Sequence, residues 1–478
     1  MTDANQSNGA ARTRRWFRRP WVLAVAATVL IALGIWANHL LERAKGRGEV
    51  DKRLAVLHAM GVAVTPAELA AKYPDPPPEK DARRLLQPGL AQLNDPGDGN
   101  TIPYFGGALL TNRLIRLSAE HRAEAKSYLG EQAQALSRIP DVSHDGAWFG
   151  SGFADWETHI GSGLRRDAYR LVKVLHLMAL LDIEDGRSSQ AVRHISRAQA
   201  VGAAIRSDIF VNHVFFITRS SRAVALVERL LNKTPLSEGE LQGLAPLFTD
   251  ERPNGFRNGL EYLTLGDVEL LFEARRSSKI SLLPRSGSDD PWIRTKDWFE
   301  RLYAASKMKA FSDDEFCLIL EVRAKQFEAL AMNPAVAVVG LRAISKESTR
   351  SWADVGNGNV SPVYPFLFPF EDTDSRLGQD LDNRARIHCT RVAIAIERYR
   401  LAHANALPGS LAGLMPAYLP EVPLDLFDGQ PLRFRKLPKG YVVYSIGRDL
   451  TDDGGKEPPA DPKPDDRYDV TFTVERPE

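Results

Sequence analysis

Cysteine is nearly absent, with two in 478 residues, so no disulfide framework holds this chain together. An excess of either charge is missing too: 62 Lys+Arg stand against 61 Asp+Glu, a formal net charge of +1, which lacks the whole-chain footprint of a dedicated nucleic-acid binder. Apolar residues at 44%, charged residues at 26% and aromatics at 8% are ordinary globular values, so a disordered, collagen-like or multi-spanning membrane chain is excluded. Catalytic signatures are also lacking. His144 and His159 have no cysteine near them to complete a zinc spacing, and Gly150-Ser151-Gly152 lacks the first glycine of a nucleophile elbow. What remains is a globular protein long enough for two or three folding units, with one unusual end.

That end is a charge-free run from Pro20 to Leu41, bounded on its core by Trp21 and Trp36. At 1.5 Å per residue it is about 33 Å long, enough to cross a ~30 Å hydrocarbon layer with its indoles at the headgroups. Arg12, Arg14, Arg15, Arg18 and Arg19 crowd residues 1–19, and the basic residues that follow the run are diluted by Glu42, Glu49 and Asp51. The expectation is a single-pass protein in a bacterial inner membrane, amino terminus in the cytoplasm and the bulk of the chain periplasmic. Thr13 to Phe17 is similar to a twin-arginine export signal, but no small-x-small cleavage site follows, so the run reads as an uncleaved anchor.

Residues 42–80 form a stalk and Pro-rich connector. Thr65-Pro66-Ala67-Glu68 predicts a capped helix start with proline at its first position, and Tyr73 to Pro78 forces an extended segment, either a stiff connector or a docking motif. Residues 81–383 read as an α-helical domain. Leu171, Val174, Leu175, Met178 and Leu181 lie on one stripe, Gly186 breaks the helix, and Ala191, Ile195 and Ala198 line the returning arm, a tetratricopeptide-like hairpin without a demonstrated repeat. Ser237 to Glu240 is a second capping box. Residues 144–159 mix glycine, aromatics and acid/base groups; the stretch reads as an ordered loop plugging the core, or as the binding loop of an envelope hydrolase. Val360 to Phe370 is a proline-broken apolar loop, and Cys317 and Cys389 read as buried thiols that an oxidising compartment could pair.

Residues 384–478 change texture. An amphipathic helix over 384–405 feeds strands over Leu432 to Lys436 and Tyr441 to Ile446, with turns at Asp428-Gly429 and Lys439-Gly440. The fold class is therefore mainly α: a transmembrane helix, an α-helical domain and a small carboxy-terminal α+β module with an antiparallel sheet.

The marks Tyr399-Arg400-Leu401, Leu407-Pro408, Pro423-Leu424-Asp425, Phe427-Asp428-Gly429, Tyr444-Ser445-Ile446-Gly447, Asp449 and Asp452 to Gly455 resemble the carboxy-terminal half of the type II secretion major pseudopilin. The resemblance implies a helix packed on a small sheet and calcium bound by Asp449, Asp452 and Asp453, a hard oxygen set. The anchor has neither the leader nor the glutamate of that family, so the module stands as a borrowed one. With Thr65 to Pro77 and Asp155-Trp156, the chain also resembles a family of uncharacterised bacterial membrane-anchored envelope proteins. The anchor, the hairpin block and the lack of a reactive constellation, taken with these resemblances, lead to the expectation of a non-enzymatic scaffold with a protein partner in the envelope and a link to secretion, and the balanced charge to the expectation of no nucleic acid.

Overall fold

The computed structural model describes residues 30, 33, 45–74, 76–96, 101–105, 113, 116–141, 163–204, 210–248, 255–276, 313–355, 373–459 and 467–476. It is mainly helical with one three-stranded antiparallel sheet. The helices are α1 (residues 45–59), α2 (Pro66–Lys72), α3 (Ala82–Leu90), α4 (Ala119–Ser137), α5 (Gly163–Glu184), α6 (Ser188–Ala204), α7 (Phe210–Lys233), α8 (Glu238–Leu244), α9 (Gly255–Arg276), α10 (Asp313–Leu330), α11 (Pro334–Val355) and α12 (Thr373–Ala402). The strands are β1 (Arg433–Leu437), β2 (Gly440–Ser445) and β3 (Val470–Glu475). Among the described residues no helix is long and apolar enough to cross a membrane; the charge-free run 20–41 lies outside them except for Leu30 and Leu33.

The chain divides into two compact units, Met1–Gly61 with Lys279–Ala324, and Val62–Ser278 with Lys325–Glu478. In the smaller unit, Arg53 on α1 pairs with Glu321 on α10 at 2.8 Å and with Glu49 one turn back at 3.5 Å.

The larger unit is built around the α5–α6 hairpin. Gly186 sits at φ +74°, the left-handed conformation that ends α5, and Ser188 starts α6 two residues later. Leu171, Val174, Leu175 and Leu181 are buried on one arm and Ala191, Ile195 and Ala198 on the other, as the stripe predicts. The predicted caps form. Ser237 Oγ accepts from Glu240 N while the Glu240 carboxylate accepts from Ser237 N, and Thr65 Oγ1 accepts from Glu68 N. At the latter cap the Glu68 carboxylate reaches Val64 N instead of the cap residue. The connector is held to the body by Glu261 on α9, fully buried, which accepts from Ala63 N at 2.6 Å and pairs with Lys72 at 2.6 Å.

The carboxy-terminal residues share this core. The helix predicted from Arg384 begins at Thr373, because Leu377, Leu381 and Ala385 extend its buried face toward the amino end. Its later turns, Ile387 to Ile396, join one cluster with α5, α6, α7, α8 and the inward residues Tyr441, Val443, Phe472 and Val474 of the sheet. Tyr441 is fully buried and donates to Glu397 on α12 at 3.0 Å. The strands pair in the order β1-β2-β3, Phe434 opposite Val443 and Val443 opposite Phe472. The third strand completes the hairpin predicted at β1 and β2.

The outer edge of β3 meets a helix. In an antiparallel ladder alternate residues turn their amides away from the partner strand. Here Thr473 N donates to Glu228 Oε1 at 2.8 Å, Thr473 O accepts from Asn232 Nδ2 at 2.8 Å, and Glu475 N donates to Asn232 Oδ1 at 2.7 Å. Both side chains lie one turn apart on α7 and are buried. Arg476 then donates to Leu231 O and pairs with Glu397, tying the strand end to α7 and α12 together.

Replacing Asn232 by Ala orphans two strand groups in a buried setting. The expected loss is about 2–4 kcal/mol, read as a lowered urea midpoint of the full chain in detergent, whereas Val336→Ala on the exposed face of α11 changes it by less than about 0.5 kcal/mol.

Candidate functional site

The acidic loop singled out from sequence sits beside β1. Arg433, the first residue of that strand, spreads its guanidinium over three carboxylates: Asp425 at 2.8 Å, Asp428, and Asp452 at 3.2 Å. Asp425 is buried and also accepts from Ser445 Oγ, Phe427 N and Ile446 N, so it ties the turn before β1 to the end of β2. The second Asp452 oxygen accepts from Gly454 N. Asp449 accepts from Thr451 N and caps its own turn. Asp453 donates its amide to Asp469, and its Oδ2 is buried without a partner. Asp469 is fully buried and accepts from Gly455 N at 2.6 Å. Gly455 has φ +77°, and a Cβ there would lie 2.9 Å from Val442 Cγ1, so glycine suits the position on both counts.

The three predicted ligands are thus neighbours with different engagements, one of them held by an arginine. Among the described residues no group of three or more His, Cys, Asp or Glu is arranged to hold a metal ion. Burial raises the Asp469 carboxyl above the ordinary carboxylate range and pushes the Tyr444 hydroxyl up to about 12. Burial also works against the charge of Asp428, but the Arg433 hydrogen bond prevails and holds that carboxyl below the ordinary range.

A second constellation, with no counterpart among the motifs, joins α5, α7 and the turn at Tyr104. Tyr169, Lys173 and His176 lie at i, i+4 and i+7 on α5, and Arg219 and Arg222 at i and i+3 on α7. Tyr169 stacks on Phe215 with ring centres 4.5 Å apart. Lys173 and Arg222 both lie against the Tyr169 ring, at 5.4 and 5.8 Å from its centre. Arg222 also covers Tyr104 at 5.2 Å, and Tyr104 meets His176 edge-on at 6.0 Å. Arg219 crosses α6 at Gly202, where a Cβ would fall 2.0 Å from its Cδ, and donates to Gln199 O.

The neighbouring charges are mainly positive, with Asp95 acting on Lys173 in the opposite sense. His176 is fully buried with neither ring nitrogen hydrogen-bonded, and Arg222 Nε and Nη1 are buried without partners. Each such orphan costs about 1–3 kcal/mol in a dry protein. Burial, then Arg222 and Arg219, drive the His176 imidazole down to about 3, so it is neutral at any physiological pH. Burial and Arg222 lower the Lys173 ammonium, and burial pushes the Tyr104 hydroxyl up to about 12. Among the described residues neither Lys173 nor Arg222 has a carboxylate in ion-pair contact.

The sequence signal for this cluster was available: three polar residues at helical spacing on α5 interleave with the apolar stripe from Leu171 to Met178. An open groove of about 600 Å³ lined by Arg116, Arg122, Lys233 and Glu184 differs, because Glu184 accepts from Arg229 and Lys233 and its charges are matched. The Gly/aromatic/His loop 144–159 lies outside the described residues. No family model, no curated protein and no solved structure matches the chain.

Asp428 supplies a pH test. Its depressed folded pKa adds stability that is fully present above the unfolded value of about 4 and lost as pH falls through the folded value. Arg433→Gln is expected to lower the urea midpoint at pH 7, with the gap to the unsubstituted chain narrowing by pH 3.

Proposed function

We propose that this chain is a single-pass envelope protein, anchored through residues 20–41 with its bulk in the periplasm, and that it acts as a non-enzymatic scaffold whose carboxy-terminal, pseudopilin-like module is offered to a protein partner. The observation that carries this reading is the β3 edge. Glu228 and Asn232 occupy it from α7, which fixes the sheet to the helical body, and β1 stands at the opposite edge without a neighbouring strand among the described residues. A sheet held this way presents one edge, and Arg435 and Lys436 on β1 guard that edge against indiscriminate pairing. The pseudopilin resemblance makes secretion the process in view.

Anchoring is tested by fractionation with a reporter. The full chain is expected in the membrane pellet and residues 42–478 in the soluble fraction, with a phosphatase fused after Glu478 active only outside the cytoplasm. A truncated chain that still pellets, or a phosphatase silent at that position, contradicts it.

Calcium at Asp449, Asp452 and Asp453 is a separate proposal, supported by the orphaned Asp453 Oδ2 and opposed by the Arg433 pairing of Asp452. Millimolar calcium added to chelator-treated full chain decides it. A Tm rise that magnesium does not reproduce and Asp453→Asn removes supports the ion; no shift leaves Arg433 as the loop's cation.

A further inference from the structure

We propose that Lys173, His176 and Arg222 form a binding site for a phosphate group, carried either by a small soluble phosphate ester or by a phospholipid headgroup. The first ground is an excess of positive charge, which Asp95 offsets only in part at Lys173. Lys173 from α5 and Arg222 from α7 approach the same Tyr169 ring, and among the described residues neither has a carboxylate in ion-pair contact. Two like charges held together at a partly dry site repel strongly, and an anion between them reverses the sign of that interaction.

The second ground is His176. A fully buried imidazole whose two nitrogens bond nothing is a poor choice for packing alone, since a phenyl ring fills similar space without orphaned polar atoms. A neutral imidazole offers one N–H donor and one acceptor. Bound phosphate oxygen can take the N–H, while other oxygens take Arg222 Nε and Nη1 and the Lys173 ammonium.

Burial places the three groups at different depths. His176 and the Arg222 Nε and Nη1 atoms are buried, whereas the Lys173, Arg222, Tyr104 and Tyr169 residues are part-buried, so a headgroup entering from the surface has to part the aromatic walls to reach the histidine. A tetrahedral group with several acceptor oxygens and up to two negative charges meets donors arriving from two helices; a planar carboxylate offers two oxygens in one plane and a single charge. Arg219 packs nearby and adds to the positive field without being counted as a ligand.

Calorimetric titration of the full chain in nonionic detergent with inorganic phosphate, at ionic strength fixed by chloride, tests the site. Saturable binding is expected with one phosphate per chain. Arg222→Met and Lys173→Met should each weaken it at least tenfold. His176→Phe should weaken it as well while leaving Tm without phosphate unchanged or higher, and Lys346→Ala on an exposed face should leave the affinity unaltered. Absence of saturable binding, wild-type affinity in Arg222→Met or His176→Phe, or acetate binding as tightly as phosphate overturns the proposal. If the variants do not fold, the unsubstituted chain still decides: a Tm rise with phosphate and not with chloride at equal ionic strength supports the site, and equal values overturn it. Displacement of bound phosphate by phosphatidic acid micelles, but not by glycerol phosphate, assigns a lipid headgroup; the converse assigns a soluble ester, and either supports the site.

Discussion

A strand edge closed by helix side chains is the constraint on which the rest of the larger unit depends. β3 has β2 on one side, and on the other its amides and carbonyl must find partners or lie orphaned in a protein interior. Glu228 and Asn232 supply them, so α7 stands where a fourth strand would. The arrangement is demanding. Burial raises the Glu228 carboxyl against the opposing pull of Arg386, 3.7 Å away, and α7 must keep its rotation to hold both side chains on the strand. That rotation in turn sets where Arg219 and Arg222 emerge, about two and a half and about one and a half turns before Glu228 on the same helix, and where Arg229 meets Glu184.

Buried carboxylates recur as the pieces that order backbone in this protein. Glu261 holds the connector, Asp425 joins the turn before β1 to the end of β2, and Asp469 gathers the amides of Asp453 and Gly455. Each accepts from main-chain amides, the arrangement that compensates a buried negative charge. The cluster at His176 inverts this pattern. It buries donors and a neutral ring without matching acceptors, and that contrast within one molecule is why it stands out as a place for something external.

Local physics was legible in the sequence and long-range compensation was not. The capping box at Ser237, the hydroxyl cap at Thr65, the break at Gly186 and the alanines of α6 depend on residues a few positions apart and form as the spacing predicts, while the Glu68 carboxylate shifts by one residue to Val64 N. Strands β1 and β2 were legible because a turn joins them. Strand β3 lies 25 residues beyond β2 after a Pro-rich acidic stretch, and its residues Val470 to Glu475 are covered on both faces, which blurs the in-and-out alternation. The acidic loop looked like a cation site because Asp449, Asp452 and Asp453 are close in sequence, yet Arg433, 19 residues before Asp452, takes one of them. The partners of Lys173 and His176 are a turn near Tyr104 and a helix more than 40 residues on, so pattern alone gave the residues and not their meeting.

The claim that the sheet and the helical hairpin are one body is tested most directly by native-state hydrogen exchange of the full chain in detergent. The account predicts that the amides of Thr473 and Glu475 exchange with the same opening free energy, and the same denaturant dependence, as core amides of α5 and α6 such as Leu175 and Ile195. Exchange of the strand amides through a separate opening of lower free energy, with the hairpin still protected, would contradict it.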